Sequence, residues 1–374
     1  MAYTNIDDPS AFFQTLVYTG NGSNPRNLTN DGNSDLKPDW IWGKNLTDNG
    51  SNHAVQISNL SFDAPTNSTQ VATDNSSNAN SPATTYGYCS ASLTDGFTAA
   101  AGGTNGDTRN ADGKEFACWQ WKCNGGTVAN NTDGTITTSV QANSTAGFSI
   151  GTYTGDGNAA VSIGHGLGAI PDFFMIKGYS GSGTKYWVVG CPNTAAFGNG
   201  GSNHVFLDTT NAIMSNTTIW RNANFTSTIV PLGSHQAINH VSSNYMFFAF
   251  KNVQGYSKIG QYLGNGNGSN GPFIYTGFKP AWVMIKNLDA TQVWILFDSG
   301  RTPFNRDDAV DSIYPSETSA EYVGASYHGV DMMSNGFKVK LTDAAVNTSG
   351  ADYLYMAFAE SPFVTSTGIP TTAR

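Results

Sequence analysis

The sequence predicts an all-β protein of three tandem antiparallel β-sandwich, jelly-roll-like domains related by internal repetition, and three observations carry that expectation. One ordered set of landmarks occurs three times. Charged residues are only 12% of the 374, and Asn, Ser, Thr and Gly take their place. The recurrent strand-like segments are apolar on both faces. A surface of Thr, Ser, Asn and Gly suits strands and tight turns, whereas helical surfaces are coated with Glu, Lys, Arg and Ala.

The first landmark is an aromatic-then-glycine phrase: "Y-T-G-N-G" at Tyr18–Gly22, "Y-T-G-D-G" at Tyr153–Gly157 and "Y-L-G-N-G" at Tyr262–Gly266. It reads as a strand end followed by a turn that needs positive φ, which Gly and Asn tolerate. The second is a strand entered from proline: "K-P-D-W-I-W-G-K-N" from Lys37, "I-P-D-F-F-M-I-K-G" from Ile170 and "K-P-A-W-V-M-I-K-N" from Lys279. Side chains alternate along a strand, so Trp40 with Trp42, Phe173 with Met175 and Trp282 with Met284 each share a face. Ile41, Phe174 with Ile176, and Val283 with Ile285 take the other. Such a strand is central and covered twice. A lysine ends it each time (Lys44, Lys177, Lys286), and a polar turn leads into "H-A-V-Q-I", "Y-W-V-V-G" or "V-W-I-L-F", which completes a hairpin. The third landmark is a phenylalanine after a turn, at Phe97, Phe225 and Phe337. The last is an aromatic run from Phe116, Tyr245 and Tyr353.

Spacings of 135 and 109 residues between the three tyrosines are domain-sized, too long for a solenoid repeat. The domains are placed at 1–126, 127–253 and 254–374, with a Ser/Asn-rich insertion in the first, within Ser58–Asp112, and a short tail on the third. Without a long linker between them, they are expected to pack in file.

Net charge is −9, and the 18 basic residues are scattered. That balance disfavours a phosphate-binding surface, so nucleic acid is not an expected partner. Apolar runs such as Tyr245–Phe250 are too short for a membrane span, and the amino terminus lacks the pattern of a secretion signal. Cys89, Cys118, Cys123 and Cys191 show no C-x-x-C spacing and read as buried thiols of a chain made in a reducing compartment. The Asn-x-Ser/Thr triplets follow from composition.

Motifs of chemistry fail on context. Gly266–Gly271 matches G-x-G-x-x-G but leads into proline and a strand, where a dinucleotide site needs a helix. The six histidines are dispersed. A calcium ion is conceivable only at the acidic Asp307–Asp311 turn, which lacks graded oxygen spacing; no cofactor is expected. Glycoside hydrolysis needs two facing carboxylates. Asp298, Glu317, Glu321 and Asp331 are available, nothing singles out a pair, and the protein is read as a non-enzyme. Trp119 and Trp121 sit two apart like a sugar platform, but Phe248 with Phe250 and Met356 with Phe358 hold the matching places, so packing explains all three pairs. Candidate glycan or partner contacts are loop aromatics outside the template: Tyr86, Tyr88, Trp220 and Tyr322.

The opening "N-I-D-D-P-S-A-F-F-Q-T-L-V-Y-T-G-N-G", with "L-K-P-D-W-I-W-G-K-N", "S-N-G-F-K-V" and "Y-L-Y-M-A-F-A-E-S-P-F", resembles the repeat of uncharacterised virion structural, tail-fibre-like proteins of marine tailed bacteriophages. The resemblance covers essentially the whole chain and brings no catalytic residues. One departure is that Gly43-Lys44 stands where the family has Ile-Lys. It implies a surface-exposed virion protein assembled in the host cytoplasm, a tail-fibre or tail-associated adhesion component touching host-surface glycans or other virion proteins. Homo-oligomers are expected. A capsid decoration protein is the alternative, and a free carbohydrate-binding or glycan-degrading protein the second.

Overall fold

The computed structural model describes residues 3–58, 70–78, 85–102, 108–305, 310–325 and 329–371. It is built almost wholly of antiparallel strands, with two four-residue helices, Thr217–Trp220 and Gln236–Asn239. One strand order recurs. In the first repeat it runs Phe13–Thr19, Glu115–Trp121, Trp40–Asn45, Ala54–Ile57, with Val71–Ala72 at the edge. In the second it runs Phe148–Thr154, Asn244–Phe250, Phe173–Ser180, Trp187–Gly190, lengthened at both edges into an eight-stranded sheet. In the third it runs Ser257–Leu263, Asp352–Pro362, Phe278–Asn287, Trp294–Asp298. The aromatic run and the strand after the proline are thus neighbours at the centre of each sheet. A smaller antiparallel sheet accompanies each large one, and among the described residues every ladder stays within one repeat.

The two-faced strands find their two covers. One face of each large sheet packs on its own small sheet: Ile41 with Phe97, Phe174 with Val230, Val283 with Phe337. The opposite faces of all three large sheets meet in a single interior that holds Trp40, Trp42, Trp119, Trp121, Phe173, Phe248, Phe250, Trp282 and Phe358. Trp40 stacks on Trp121 at 3.9 Å and reaches Phe248 of the second repeat at 4.8 Å. Trp121 meets Trp282 of the third at 5.8 Å, and Phe250 of the second meets Phe358 of the third at 5.7 Å. Each repeat therefore touches both others. The expected file of domains is corrected to a closed ring, because apolar inner faces left at the ends of a file would remain in water.

The recurrent phrase has a division of labour that composition does not reveal. The tyrosine hydroxyls of Tyr18, Tyr153 and Tyr262 donate to the backbone carbonyls of Arg109, Ile238 and Val346, tying the strand end to the loop before the aromatic run. Only the second glycine needs positive φ: Gly22 at 68°, Gly157 at 76° and Gly266 at 65°. The first is required for close approach, since a Cβ on Gly20, Gly155 or Gly264 would lie 2.0, 2.4 or 2.2 Å from a carbonyl oxygen. A buried asparagine, Asn110, Asn239 or Asn347, accepts from the phrase's own backbone N–H at 2.9–3.2 Å.

Two departures between copies have local causes. Asp39 accepts from Cys123 N at 2.6 Å and Gly125 N at 2.9 Å, and Asp172 accepts from Asn252 N at 2.6 Å. These carboxylates cap the crossings into the next repeat. The third copy carries Ala281 at this position. Gly43 replaces the isoleucine of the other copies because Arg109 fills its place: a Cβ would lie 2.4 Å from the guanidinium and 2.9 Å from Cys118 Sγ. Arg109 is fully buried, bonded to Ala54 O at 2.9 Å, Thr108 O at 3.0 Å and Cys89 Sγ at 3.1 Å. It belongs to the insertion within Ser58–Asp112, part of which lies outside the described residues. All four cysteines are buried free thiols, and burial pushes Cys118 up to about 12.

Each tryptophan in the shared interior removes apolar surface worth roughly 4–6 kcal/mol in transfer free energy, before conformational entropy is set against it. Trp121→Ala is expected to cost about 3–5 kcal/mol. In urea denaturation it should lower one midpoint shared by circular dichroism and tryptophan fluorescence. A separate early transition confined to the first repeat would contradict a common interior.

Candidate functional site: the seams and the surface clefts

The seams between repeats are built from the positions that recur. Lys44, Lys177 and Lys286 are fully buried. Each ammonium donates to its own hairpin turn (Ser51 O; Lys185 O at 2.6 Å; Gln292 O) and to a carbonyl of the neighbouring repeat: Thr318 O at 3.3 Å, Asn75 O at 2.7 Å and Thr210 O at 2.9 Å. The second hairpin strand adds an aromatic N–H. Trp187 Nε1 donates to Ala72 O at 2.6 Å and Trp294 Nε1 to Phe206 O at 2.9 Å. His53 takes the same role in the first repeat, 3.1 Å from Tyr314 O. Trp42 Nε1 can only donate, so the bond it makes to His53 Nδ1 at 3.1 Å fixes the neutral tautomer with its proton on Nε2. Burial holds His53 well below the ordinary histidine range, in agreement. The direction is cyclic: second onto first, first onto third, third onto second.

These seams carry perturbed carboxyls. Asp74 accepts from His53 N at 2.9 Å and is pushed up to about 7 by burial; Asp208 accepts from Trp187 N at 3.1 Å and is pushed up to about 6 for the same reason. Burial lowers Lys177 to about 8 and Lys286 to about 7. Such groups could mark catalysis, but here the lysines sit sealed among carbonyls, which is a structural placement.

The acids named from sequence scatter. Asp298 and Glu321 come together with Arg301 between them: Nε lies 2.6 Å from Asp298 Oδ2, Nη1 binds Glu321, and Trp119 Nε1 reaches Asp298 at 3.2 Å across the seam. Asp331 pairs with Lys340 at 3.5 Å, and Glu317 accepts from Ser319 at 2.9 Å. Of the Asp307–Asp311 turn, 307–309 lie outside the described residues. Asp311 accepts from Thr302 Oγ1 and Gly324 N, both at 3.0 Å. Among the described residues, no group of three or more His, Cys, Asp or Glu could hold a metal ion, and no helix is long and apolar enough to cross a membrane.

The four aromatics singled out as contacts do not form one site. Trp220 is corrected: it is 2% exposed, packed edge-on against Phe174 and Phe225, and covers Gly190. Its place outside the template reflects filling under the second repeat's small sheet. Tyr88 is also corrected, since its strand lays it against buried Ala100. Tyr86 and Tyr322 are exposed, and Tyr322 already stacks on Tyr314 at 4.5 Å.

Among the described residues, two surface clefts stand out. One, of 240 Å³, lies between the first and third repeats beside Gln14, Gly32, Gly300 and Glu360. Its amide is used internally: Gln14 donates to Ser10 O and Ser34 O and accepts from Gly32 N. The other, of 480 Å³, lies where the amino-terminal segment and the carboxy-terminal tail meet the third repeat, beside Tyr3, Gln254, Lys258, Tyr275 and Phe363. Sequence alone does not mark it, because Tyr275 lies in a strand and only the pairing register shows which way it faces.

Fold and seams together define an all-β class of protein in which three antiparallel sheet pairs share one interior. The chain belongs to the family described as "Domain of unknown function (DUF7483)", whose model matches residues 8–362, through all three repeats. No curated protein matches it. A solved structure described as "Crystal Structure of the STIV MCP" is similar at 10% identity, over 62% of this chain and 90% of that chain, with a TM-score of 0.15, too low to carry an argument.

The seam carboxyl at Asp74 sets a pH dependence. Its folded-state pKa of about 7 lies above the ordinary 3.8, so the fold prefers the protonated form. The associated stability is fully present below 3.8 and is lost as pH rises through 7. Asp74→Asn keeps the acceptor for His53 N. It is expected to flatten the fall in melting temperature between pH 4 and pH 7.5; an unchanged slope would assign that fall to other groups.

Proposed function

We propose that this chain is a surface-exposed structural component of a tailed-phage virion. In this reading it is three copies of one jelly-roll-like β-sandwich, with domains at 1–126, 127–253 and 254–374, closed into a ring by a single polypeptide. The observation that carries the proposal is the cyclic seam, in which equivalent lysines and aromatic N–H donors reach the next repeat in one rotational sense. Head-to-tail contacts that close generate rings. A ring with an approximate threefold axis fits the threefold positions of fibres and shells, where three equivalent surfaces must meet three equivalent partners.

Surface chemistry supports the same reading. A polar, weakly charged coat is insensitive to ionic strength once outside the cell, and the buried perturbed groups serve seams. The sequence resemblance to tail-fibre-like repeats favours a tail-associated adhesion role, with other virion proteins, further copies of this chain and host-surface glycans as partners. We read the protein as a non-enzyme on these grounds.

Gold-conjugated antibody against this chain, applied to intact particles of a phage that encodes it, is expected to label the tail in electron micrographs. Label spread over the head would move the assignment to capsid decoration. Absence of the chain from purified particles by mass spectrometry would overturn it.

A further inference from the structure

We infer that the 480 Å³ cleft on the third repeat is a carbohydrate-binding site, with Tyr275 as its stacking platform and Gln254 and Lys258 as its polar contacts. The assignment deepens, and for its biological setting rests on, the reading of a host-contacting particle component; its geometric basis is separate.

The strand Phe273–Tyr275 is the outer strand of the third repeat's small sheet. Its middle residue, Ile274, points inward and lies opposite Phe337. Phe273 and Tyr275 therefore share the outward face, 48% and 62% exposed. The first repeat offers a direct comparison, because Leu28 lies opposite Phe97 in the same register. Asn27 and Thr29 flank Leu28 where Phe273 and Tyr275 flank Ile274. Polar residues are the ordinary choice for that face. Phe273 recovers part of its cost by covering Gly336, where an added Cβ would lie 3.1 Å from its ring, but Tyr275 stays 62% exposed. This reverses the situation at Trp119 and Trp121, where the template explained the pair as core.

The cleft beside Tyr275 has unspent hydrogen-bonding capacity. The protein uses most of its buried amides internally, as Asn110, Asn239, Asn287 and Asn347 illustrate. Gln254 is exposed and Lys258 half-buried, and neither side chain has an intramolecular partner among the described residues. The walls around them are pinned. Thr4 Oγ1 donates to Gln254 O at 2.9 Å, Asn252 bonds both N and O of Ile259, and Thr276 Oγ1 donates to Phe278 O at 2.7 Å. Asp7 holds Ser366 N at 2.6 Å, which fixes the tail against the amino-terminal segment. A preformed cleft with an open aromatic face, an amide and an ammonium suits a pyranose: its C–H face stacks on the ring, its hydroxyls meet the amide, and a carboxylate or sulfate substituent meets Lys258.

The test uses the full-length isolated protein on an array of neutral, carboxylated and sulfated oligosaccharides, with saturation-transfer NMR on any glycan retained. Binding is expected, strongest for carboxylated or sulfated chains. Tyr275→Ala is expected to weaken it roughly tenfold, a change in keeping with loss of one aromatic stack. Lys258→Met should remove the preference for anionic chains while leaving neutral ones unaffected. Tyr322→Ala, on a different face, should bind as the parent does. All three are surface substitutions, and unchanged melting temperatures confirm folding. Retention of no glycan, or equal binding by Tyr275→Ala, would overturn the assignment while leaving the particle reading to its own labelling test. Conversely, glycan binding by a chain absent from particles would sustain this site and sink that reading.

Discussion

A strand with two apolar faces must be covered twice, and the architecture follows from that constraint. Each large sheet has one cover supplied locally by its small sheet. The second cover has no candidate within the repeat, so the three bare faces bury one another. Trp40, Trp121, Phe250, Trp282 and Phe358 meet at the centre because three such faces close a prism with no face left over. A file would leave the apolar faces at its two ends in water.

Hydrophobic faces alone do not fix how the prism is assembled, since aromatic surfaces slide at little cost. The seam polar groups supply the register. A buried ammonium deprived of its acceptors costs several kcal/mol, so Lys44, Lys177 and Lys286 tolerate only the arrangement in which each finds its neighbour's carbonyl. The substitution of His53 for the tryptophan of the other copies preserves the donated bond with different chemistry. Arg109 with Gly43 shows the same economy inside the first repeat, a guanidinium filling the volume of an isoleucine while bonding three acceptors.

The polar phrase and the aromatic pairs were legible in sequence because each repeats in order and because alternation assigns faces without knowledge of the partner. Trp42 and Trp119 could be called interior from that alone. Trp220 and Tyr88 could not, since both fall outside the template and nothing local distinguishes a loop that folds over a core from one that projects. The seam role of the three lysines left only a recurrence as its trace. Their acceptors, Thr318, Asn75 and Thr210, lie in segments without shared residues, because a backbone carbonyl is supplied by any amino acid. The Tyr275 cleft was hidden for a related reason: its walls come from both ends of the chain and from a strand whose outward face is set by pairing.

The sequence by itself determined an all-β chain, three copies of one strand pattern, and which side chains of that repeated pattern leave water, because alternation, glycine placement and composition are properties of the local chain. Tertiary structure decided that the copies close on each other, which repeat each lysine reaches, and which aromatics stay at the surface. Those outcomes depend on carbonyls and faces more than sixty residues away along the chain, and no local pattern encodes a partner whose identity is only its backbone.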